Sequence, residues 1–229
     1  MIRPVTMFVT GGESLLQLGE SPNNVVSKLV SLTVAWAKAG IGIIQIREPW
    51  MSDRGLFELV SIVVDSLAVF DTKVVVNDRL DIAVAAKADG VHLKDEEIST
   101  SRIRKQFPRG WLIGRSVHDL ATVREVCCGD QLDYLLAGTV KATPSTVAKK
   151  IIGFEGLREI AMATDVPVLA IGGLDFIDSE NVRKAEGAGL AGVRLFMTGD
   201  EFTDEERARL IAKCHHFFVG VDGDRAVTR

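Results

Sequence analysis

The sequence alternates short apolar runs with longer segments that carry helix signals, and it does so almost from end to end. Eight runs have the length of strands, at 6–10, 42–47, 73–77, 90–93, 111–115, 133–138, 167–172 and 191–196. Most are continuously hydrophobic, which is typical of parallel strands that are covered on both faces. The pattern therefore predicts a strand followed by a helix, repeated eight times.

Helix-boundary residues stand between these runs. Ser21 followed by Pro22 predicts the start of a helix that ends at Gly40. Further helix starts are expected at Ser52, Ser99, Asp119 and Asp178. The last helix is predicted at 202–218, with 219–229 as a C-terminal tail. Eight such units in 1–218 favour a single-domain (β/α)8 TIM barrel over an open doubly wound sheet, which typically uses fewer strands.

Composition narrows the class of partner. Hydrophobic residues make up 47% of the 229 residues and charged residues 25%, the balance of a globular domain with a large core. The formal net charge of -4 argues against a nucleic-acid or anionic-membrane surface. No apolar run reaches the roughly 18–20 residues that span a bilayer. The three cysteines cannot all form disulfide bonds with one another, which is typical of a reducing compartment. We expect a cytoplasmic protein with a small-molecule partner, whose exposed helix faces permit a homodimer.

Polar residues and glycines stand where a barrel of this kind places its chemistry, at the carboxyl ends of the strands and in the loops after them. They are Gln45, Arg47, Asn77, Asp78, His92, Ser116, His118, Thr143, Ser145, Gly172 and Gly173. Their recurrence at the ends of six successive strands is stronger evidence for a site than any one member.

Three of the charged candidates have two interpretations. The Arg47 guanidinium fits phosphate oxygens with paired hydrogen bonds, or it forms an ion pair with Glu48 or Asp78. Asp78 is a candidate Mg²⁺ ligand, since a magnesium site needs only one or two carboxylates. Alternatively, Asn77 and Asp78 cap the next helix. Glu97 is a further candidate metal ligand, or part of a solvated acidic run.

The phosphate candidates are equally open. Gly172 and Gly173 let bare backbone N–H groups approach a phosphate, or they form an ordinary turn. The loops after the seventh and eighth strands of such barrels often hold phosphate, which favours the first interpretation. Thr143 and Ser145 either donate hydroxyl groups to an anion or belong to a plain polar loop.

The two histidines near the strands differ in position. His92 lies within a strand and is expected to be a core residue. His118 lies just past a strand, on the functional face, and histidine both donates and accepts protons near neutral pH. It is either a general acid/base or a hydrogen-bonded loop residue ahead of the next helix.

Five motifs in order resemble the thiamine phosphate synthase/TenI family across 5–198. They are QIRE, VVVNDRLDIAVAAKADGVHL, IGRSVHDL, DYLLAGTVKATPS and VPVLAIGGL. The resemblance implies a (β/α)8 barrel acting on thiazole phosphate in thiamin biosynthesis. It also implies one of two activities. A synthase joins an aminopyrimidine pyrophosphate to thiazole phosphate with Mg²⁺, whereas a TenI-type tautomerase shifts a proton on a carboxythiazole phosphate.

For a synthase, the resemblance implies metal binding by Asp78 and Glu97. It implies substrate binding by Gln45, Arg47, Asn77, Ser116, Thr143 and Ser145. The chain departs from that pattern at several positions. Two lysines of the family are Pro49 and Thr146 here, and the expected serine after the eighth strand is near Met197. The lost lysines weaken the expected cradle for pyrophosphate.

For a tautomerase, the match extends through EISTSRIRKQFPRGWLIGRSVHDL and implies that His118 is the catalytic residue. A proton shift needs neither a pyrophosphate cradle nor a cofactor. The sequence alone therefore favours a thiazole tautomerase, with a Mg²⁺-dependent synthase as the alternative. A member that binds thiazole phosphate without catalysis is the third possibility.

Overall fold

The computed structural model describes residues 5–94, 99–107, 110–127, 132–143, 151–198 and 201–219. Eight parallel strands close into a barrel in sequence order, which confirms the predicted architecture. The strands are β1 (Thr6–Val9), β2 (Ile43–Ile46), β3 (Lys73–Asn77), β4 (Gly90–Leu93), β5 (Leu112–Val117), β6 (Tyr134–Gly138), β7 (Val168–Ile171) and β8 (Gly189–Gly192).

Helices follow the strands and cover the barrel. They are α1 (Glu13–Gln17), α2 (Pro22–Lys38), α3 (Asp53–Leu67), α4 (Leu80–Ala85), α5 (Thr100–Gln106), α6 (Leu120–Val126), α7 (Gly153–Met162), α8 (Ser179–Lys184), α9 (Arg194–Met197) and α10 (Asp204–Val219). A 3₁₀ turn, Phe176–Asp178, precedes α8. The predicted caps of three helices accept backbone N–H groups as expected: Ser21 from Asn24, Ser52 from Gly55 and Asp119 from Thr122.

The eighth strand is shifted from its predicted place. The prediction of a strand at 191–196 is wrong, because β8 ends at Gly192 and the chain turns at Val193 into the short helix α9. The reason is a long-range contact. The Trp36 indole donates a hydrogen bond to the Phe196 carbonyl at 2.9 Å, and the two rings meet edge to face at 5.0 Å. These contacts hold Phe196 outside the barrel wall.

Two apolar layers give the barrel its shape. Met7, Val9, Ile43, Val75 and Leu169 belong to the cluster inside the barrel. A larger cluster, which includes Trp36 of α2, lies between the strands and the helices. Since side chains alternate along a strand, the inner cluster identifies which positions of each strand point inward.

Some predicted features fall outside the described residues. These are Glu97, Ser145, Thr146 and the C-terminal tail, of which only Val219 is described, as the end of α10. In the part of the chain that the structure describes, no helix combines the length and hydrophobicity needed to cross a membrane.

Candidate functional site at the carboxyl rim of the barrel

The candidate site is built on the rim, a name used here for the loops that follow the carboxyl ends of the strands. These loops begin after Val9, Ile46, Asn77, Leu93, Val117, Gly138, Ile171 and Gly192. Ile43, Val75 and Leu112 point into the barrel. Side chains alternate along a strand, so Gln45, Asn77 and Ser116, which lie two or four residues further along the same strands, also point inward. The sequence predicted polar residues at these strand ends, and the fold places them there.

Gln45 is the deepest of the predicted substrate-binding residues. It is 1% exposed and stands beside Val9 in the register of β1 and β2. Its Nε2 atom is buried without a hydrogen-bond partner. The same side chain interacts with the buried Tyr134 hydroxyl, so Gln45 belongs to the polar group inside the barrel that also includes His92.

His92 is a buried core residue, as predicted, and it organises the barrel interior beneath the rim. Its Nδ1 lies 3.1 Å from the Tyr134 hydroxyl and its Nε2 lies 2.9 Å from the Ser116 hydroxyl. Burial lowers the pKa of His92 to about 3, and the positive charge of Arg115 adds to this while the negative charge of Asp78 opposes it. The imidazole is therefore neutral at physiological pH and orients the Ser116 hydroxyl. Sequence reasoning missed Tyr134, which looked like an ordinary strand residue.

Asp78 is fixed at the end of β3 in an uncommon backbone conformation. Its φ of 59° lies in the left-handed region, and its N–H donates to the His92 carbonyl at 2.8 Å. Its carboxylate accepts the Lys94 backbone N–H on Oδ1 at 2.8 Å and meets the Lys94 ammonium on Oδ2 at 2.5 Å. Asn77 Nδ2 donates to Oδ2 at 3.1 Å.

These contacts decide between the two interpretations of Asn77 and Asp78. The interpretation as helix caps is wrong, because Arg79 is the N-cap of α4 and no side chain caps that helix. The Arg79 guanidinium instead pairs with Asp53 at the start of α3 and with Asp81. Asp78 thus faces the loop after β4.

Arg47 and Glu48 stand at the end of β2 and point in different directions. Arg47 is exposed at the rim, with its backbone N–H on the Thr10 hydroxyl at 2.9 Å. Glu48 is buried and accepts hydrogen bonds from Gly12 N at 3.1 and 2.9 Å and from Trp50 Nε1 at 2.6 Å. Among the described residues, Arg47 forms no close ion pair with Glu48 or Asp78, although its positive charge favours the ionised form of Glu48. Sequence reasoning missed the link to Gly12, although the Gly-Gly pair just after β1 signals a close backbone approach.

His118 follows β5 directly and is exposed. Its Nδ1 lies 2.5 Å from the Gly138 carbonyl oxygen, to which the ring N–H donates. Because Nδ1 needs its proton for that bond, the bond fixes the orientation of the ring and the tautomer of its neutral form. This geometry suits a general acid/base that is held in one orientation.

The glycine pair after β7 lies against the loop that follows β6. Gly172 and Gly173 have φ values of 102° and 66°. A Cβ at Gly172 would come 2.5 Å from Thr139 Cγ2, and one at Gly173 would come 2.7 Å from the Lys141 carbonyl oxygen. Both positions therefore require glycine for the turn itself. That their N–H groups bind phosphate stays a prediction. So does phosphate binding by the half-buried Thr143, which lies in the loop after β6.

The described residues do not assemble a divalent-cation site. Within the described ranges, no group of three or more His, Cys, Asp or Glu side chains could hold a metal ion. Both oxygens of Asp78 are engaged by Lys94, and Glu97 falls in a gap of the described chain. Mg²⁺ therefore does not fit Asp78 as it is arranged here.

The structure joins some of the predicted residues and separates others. Asp78 touches the backbone of His92, whose side chain holds Ser116, so three consecutive strands are linked directly. Arg47 and the glycine pair lie on the same rim. Met197 is buried in the outer core and takes no part in the site.

Comparison with known proteins identifies a family with this barrel. The family model described as thiamine monophosphate synthase matches residues 19–196. The thiamine-phosphate synthase of Leptospira biflexa is 32% identical over 159 residues, covering 68% of this chain and 76% of the relative. That of Enterococcus faecalis is 33% identical over 174 residues, covering 73% of this chain and 79% of the relative.

A solved structure agrees over nearly the whole chain. The thiamine phosphate pyrophosphorylase of Pyrococcus furiosus superposes with a TM-score of 0.74 at 26% identity, covering 94% of this chain and 97% of that one. The extent of the family match and the identity to these relatives together establish the assignment: the chain belongs to the thiamine monophosphate synthase family of enzymes.

Proposed function

We propose that the chain is a thiamine-phosphate synthase, a transferase that joins an aminopyrimidine pyrophosphate to thiazole phosphate. The relatives that match most of the chain carry that name, which reverses the order favoured by the sequence alone. The observation that carries the proposal is the Lys94 ammonium on Asp78 at the rim. With the exposed Arg47, it supplies cations on the face where lysines are missing at Pro49 and Thr146.

The reaction needs charge stabilisation more than proton transfer. The bond from the pyrimidine methylene carbon to pyrophosphate breaks, the thiazole nitrogen bonds to that carbon, and pyrophosphate leaves as an anion. Charge-assisted hydrogen bonds from Arg47 and Lys94 are suited to this leaving group. The buried Gln45 Nε2 is suited to an acceptor atom of the pyrimidine, and the Ser116 hydroxyl is held in place by His92.

Other lysines contribute less to such a cradle. Lys73 pairs with Asp89 at the start of β3, the opposite end of the barrel. Lys141 lies in the loop after β6 and pairs with the buried Asp178 at 2.6 Å. Lys149 and Lys150 are outside the described residues.

A thiazole tautomerase is the second candidate, and His118 is the specific observation that favours it. An exposed imidazole at the rim with Nδ1 held by Gly138 is suited to moving a proton on a bound thiazole. Because the synthase reaction as written transfers no proton, the effect of removing the His118 side chain distinguishes the two candidates.

The test follows both reactions with one set of proteins. The wild type is incubated with the pyrimidine pyrophosphate and thiazole phosphate, with and without Mg²⁺, and separately with each carboxythiazole tautomer. We expect the wild type to form thiamin phosphate and His118→Ala to form it at a rate within about tenfold of the wild type. If the protein were a tautomerase, His118→Ala would convert the tautomers about 10²- to 10⁴-fold more slowly. His216→Ala, at an exposed position of α10, is the matched control.

Two results would overturn the proposal. Tautomer conversion without thiamin phosphate would show the second candidate to be correct. Binding of thiazole phosphate with no turnover in either assay would show a non-catalytic member.

A further inference from the structure

Asp78 is held so firmly that its carboxylate has a fixed direction. Its backbone is tied to β4 through the His92 carbonyl, and its Oδ1 accepts the Lys94 backbone N–H. Asn77 Nδ2 adds a third hydrogen bond, on Oδ2. The negative charge therefore stands at one place on the rim, between the ends of β3 and β4.

Lys94 contacts both oxygens of this carboxylate. The backbone N–H reaches Oδ1 and the ammonium reaches Oδ2, so one residue closes around the acid. The Lys94 side chain is 68% exposed, whereas that of Asp78 is 27% exposed. Lys94 directly follows Leu93, the last residue of β4, and so stands in the loop at the rim. The ammonium is therefore presented to solvent at the barrel opening.

An ammonium on Oδ2 changes which ligands this position favours. A divalent cation approaching Asp78 would lose much of the attraction of the carboxylate and would be repelled by Lys94. An anion is attracted to Lys94, because the ammonium N–H groups that do not point at Asp78 can still donate hydrogen bonds.

We propose that the Lys94 ammonium, held by Asp78, takes the position of a divalent metal ion on the rim and binds the pyrophosphate group of the substrate directly. The identity of that substrate rests on the proposed function. The preference of the position for an anion over a dication rests on Lys94 and Asp78 alone.

The first measurement is metal binding without any reaction. Mn²⁺ is titrated into the full-length protein and followed by electron paramagnetic resonance. We expect Lys94→Gln to bind Mn²⁺ about 10- to 100-fold more tightly than the wild type, and the added change Asp78→Asn to abolish the gain. Lys94→Arg keeps the charge and is expected to behave as the wild type. Lys105→Gln, at an exposed lysine of α5, is the control.

The second measurement is binding of inorganic pyrophosphate in buffer with a chelator, by calorimetry. We expect Lys94→Gln to weaken binding by about 10- to 100-fold, with Lys94→Arg and Lys105→Gln close to the wild type. Unchanged Mn²⁺ and pyrophosphate affinities in Lys94→Gln would overturn the inference even if the protein forms thiamin phosphate. The expected affinities with no thiamin phosphate formed would support the inference and reject the proposed function.

Discussion

The Gly12 backbone N–H donates to both carboxylate oxygens of Glu48, at 3.1 and 2.9 Å. The acid is 2% exposed and also accepts the Trp50 indole N–H at 2.6 Å. A Cβ at Gly12 would come 2.8 Å from Glu48 Oε2, so the contact requires glycine. One buried carboxylate thus ties the loop after β1 to the loop after β2, where Arg47 lies.

Removing this carboxylate is expected to destabilise the fold. Glu48→Ala leaves the Gly12 N–H and the Trp50 N–H without their acceptor, at a cost of about 1–3 kcal/mol for each buried donor. Urea unfolding measures the loss. The control is Glu58→Ala on α3, which removes a solvent-exposed pair with Arg54 and is expected to change stability little. Equal losses in the two variants would contradict the role of Glu48.

The same residue predicts a pH dependence. Burial raises the pKa of Glu48 above its ordinary 4.5 and outweighs the hydrogen bonds that favour the charged form. The folded state therefore binds the Glu48 proton more tightly than the unfolded state does. The resulting contribution to the free energy of unfolding is complete below pH 4.5 and is lost as pH rises through the raised pKa. The free energy of unfolding of the wild type is therefore expected to fall relative to that of Glu48→Gln as pH rises from 4.5. A difference that is independent of pH would refute this.

His92 is expected to resist protonation. Its pKa is lowered from 6.5 to about 3, chiefly by burial. The neutral ring stabilises the fold above pH 6.5, and this stabilisation, about 5 kcal/mol at most, is lost as pH falls towards 3. We predict that the His92 ring resonances of ¹³C-labelled protein do not shift between pH 7.5 and pH 4.5. A shift with a midpoint near 6.5 would show that the ring is accessible to water and that it does not hold Ser116 as described.

Gly114 is expected to tolerate no side chain. A Cβ there would overlap the Tyr134 ring, which crosses it to reach His92. We predict that Gly114→Ala destabilises the protein by about 1–3 kcal/mol or more, through overpacking. Gly55→Ala in α3 is the matched control, because its Cβ would meet only Ser52 Oγ at an ordinary 3.4 Å. There the helix is expected to gain up to about 1 kcal/mol. Both effects are measured by thermal unfolding, and a neutral Gly114→Ala would be inconsistent with the packing.

Local patterns in the sequence determined most of the architecture. Continuous apolar runs and capping residues such as Ser21, Ser52 and Asp119 act over a few residues, so they are readable without the fold. Together with the barrel rule, they located the site at the carboxyl ends of the strands. They also identified His92 as a core residue.

Only the tertiary structure decided which side chains meet there. The Gly12–Glu48 contact joins residues 36 apart, and the Asp78–Lys94 contact joins residues 16 apart. The hydrogen bond from Trp36 to Phe196 joins residues 160 apart and holds Phe196 outside the eighth strand. Such contacts form only when the barrel closes and its ends converge, so no periodicity along the chain records them. For this reason the sequence predicted Asp78 as a metal ligand or helix cap, whereas the fold pairs it with Lys94.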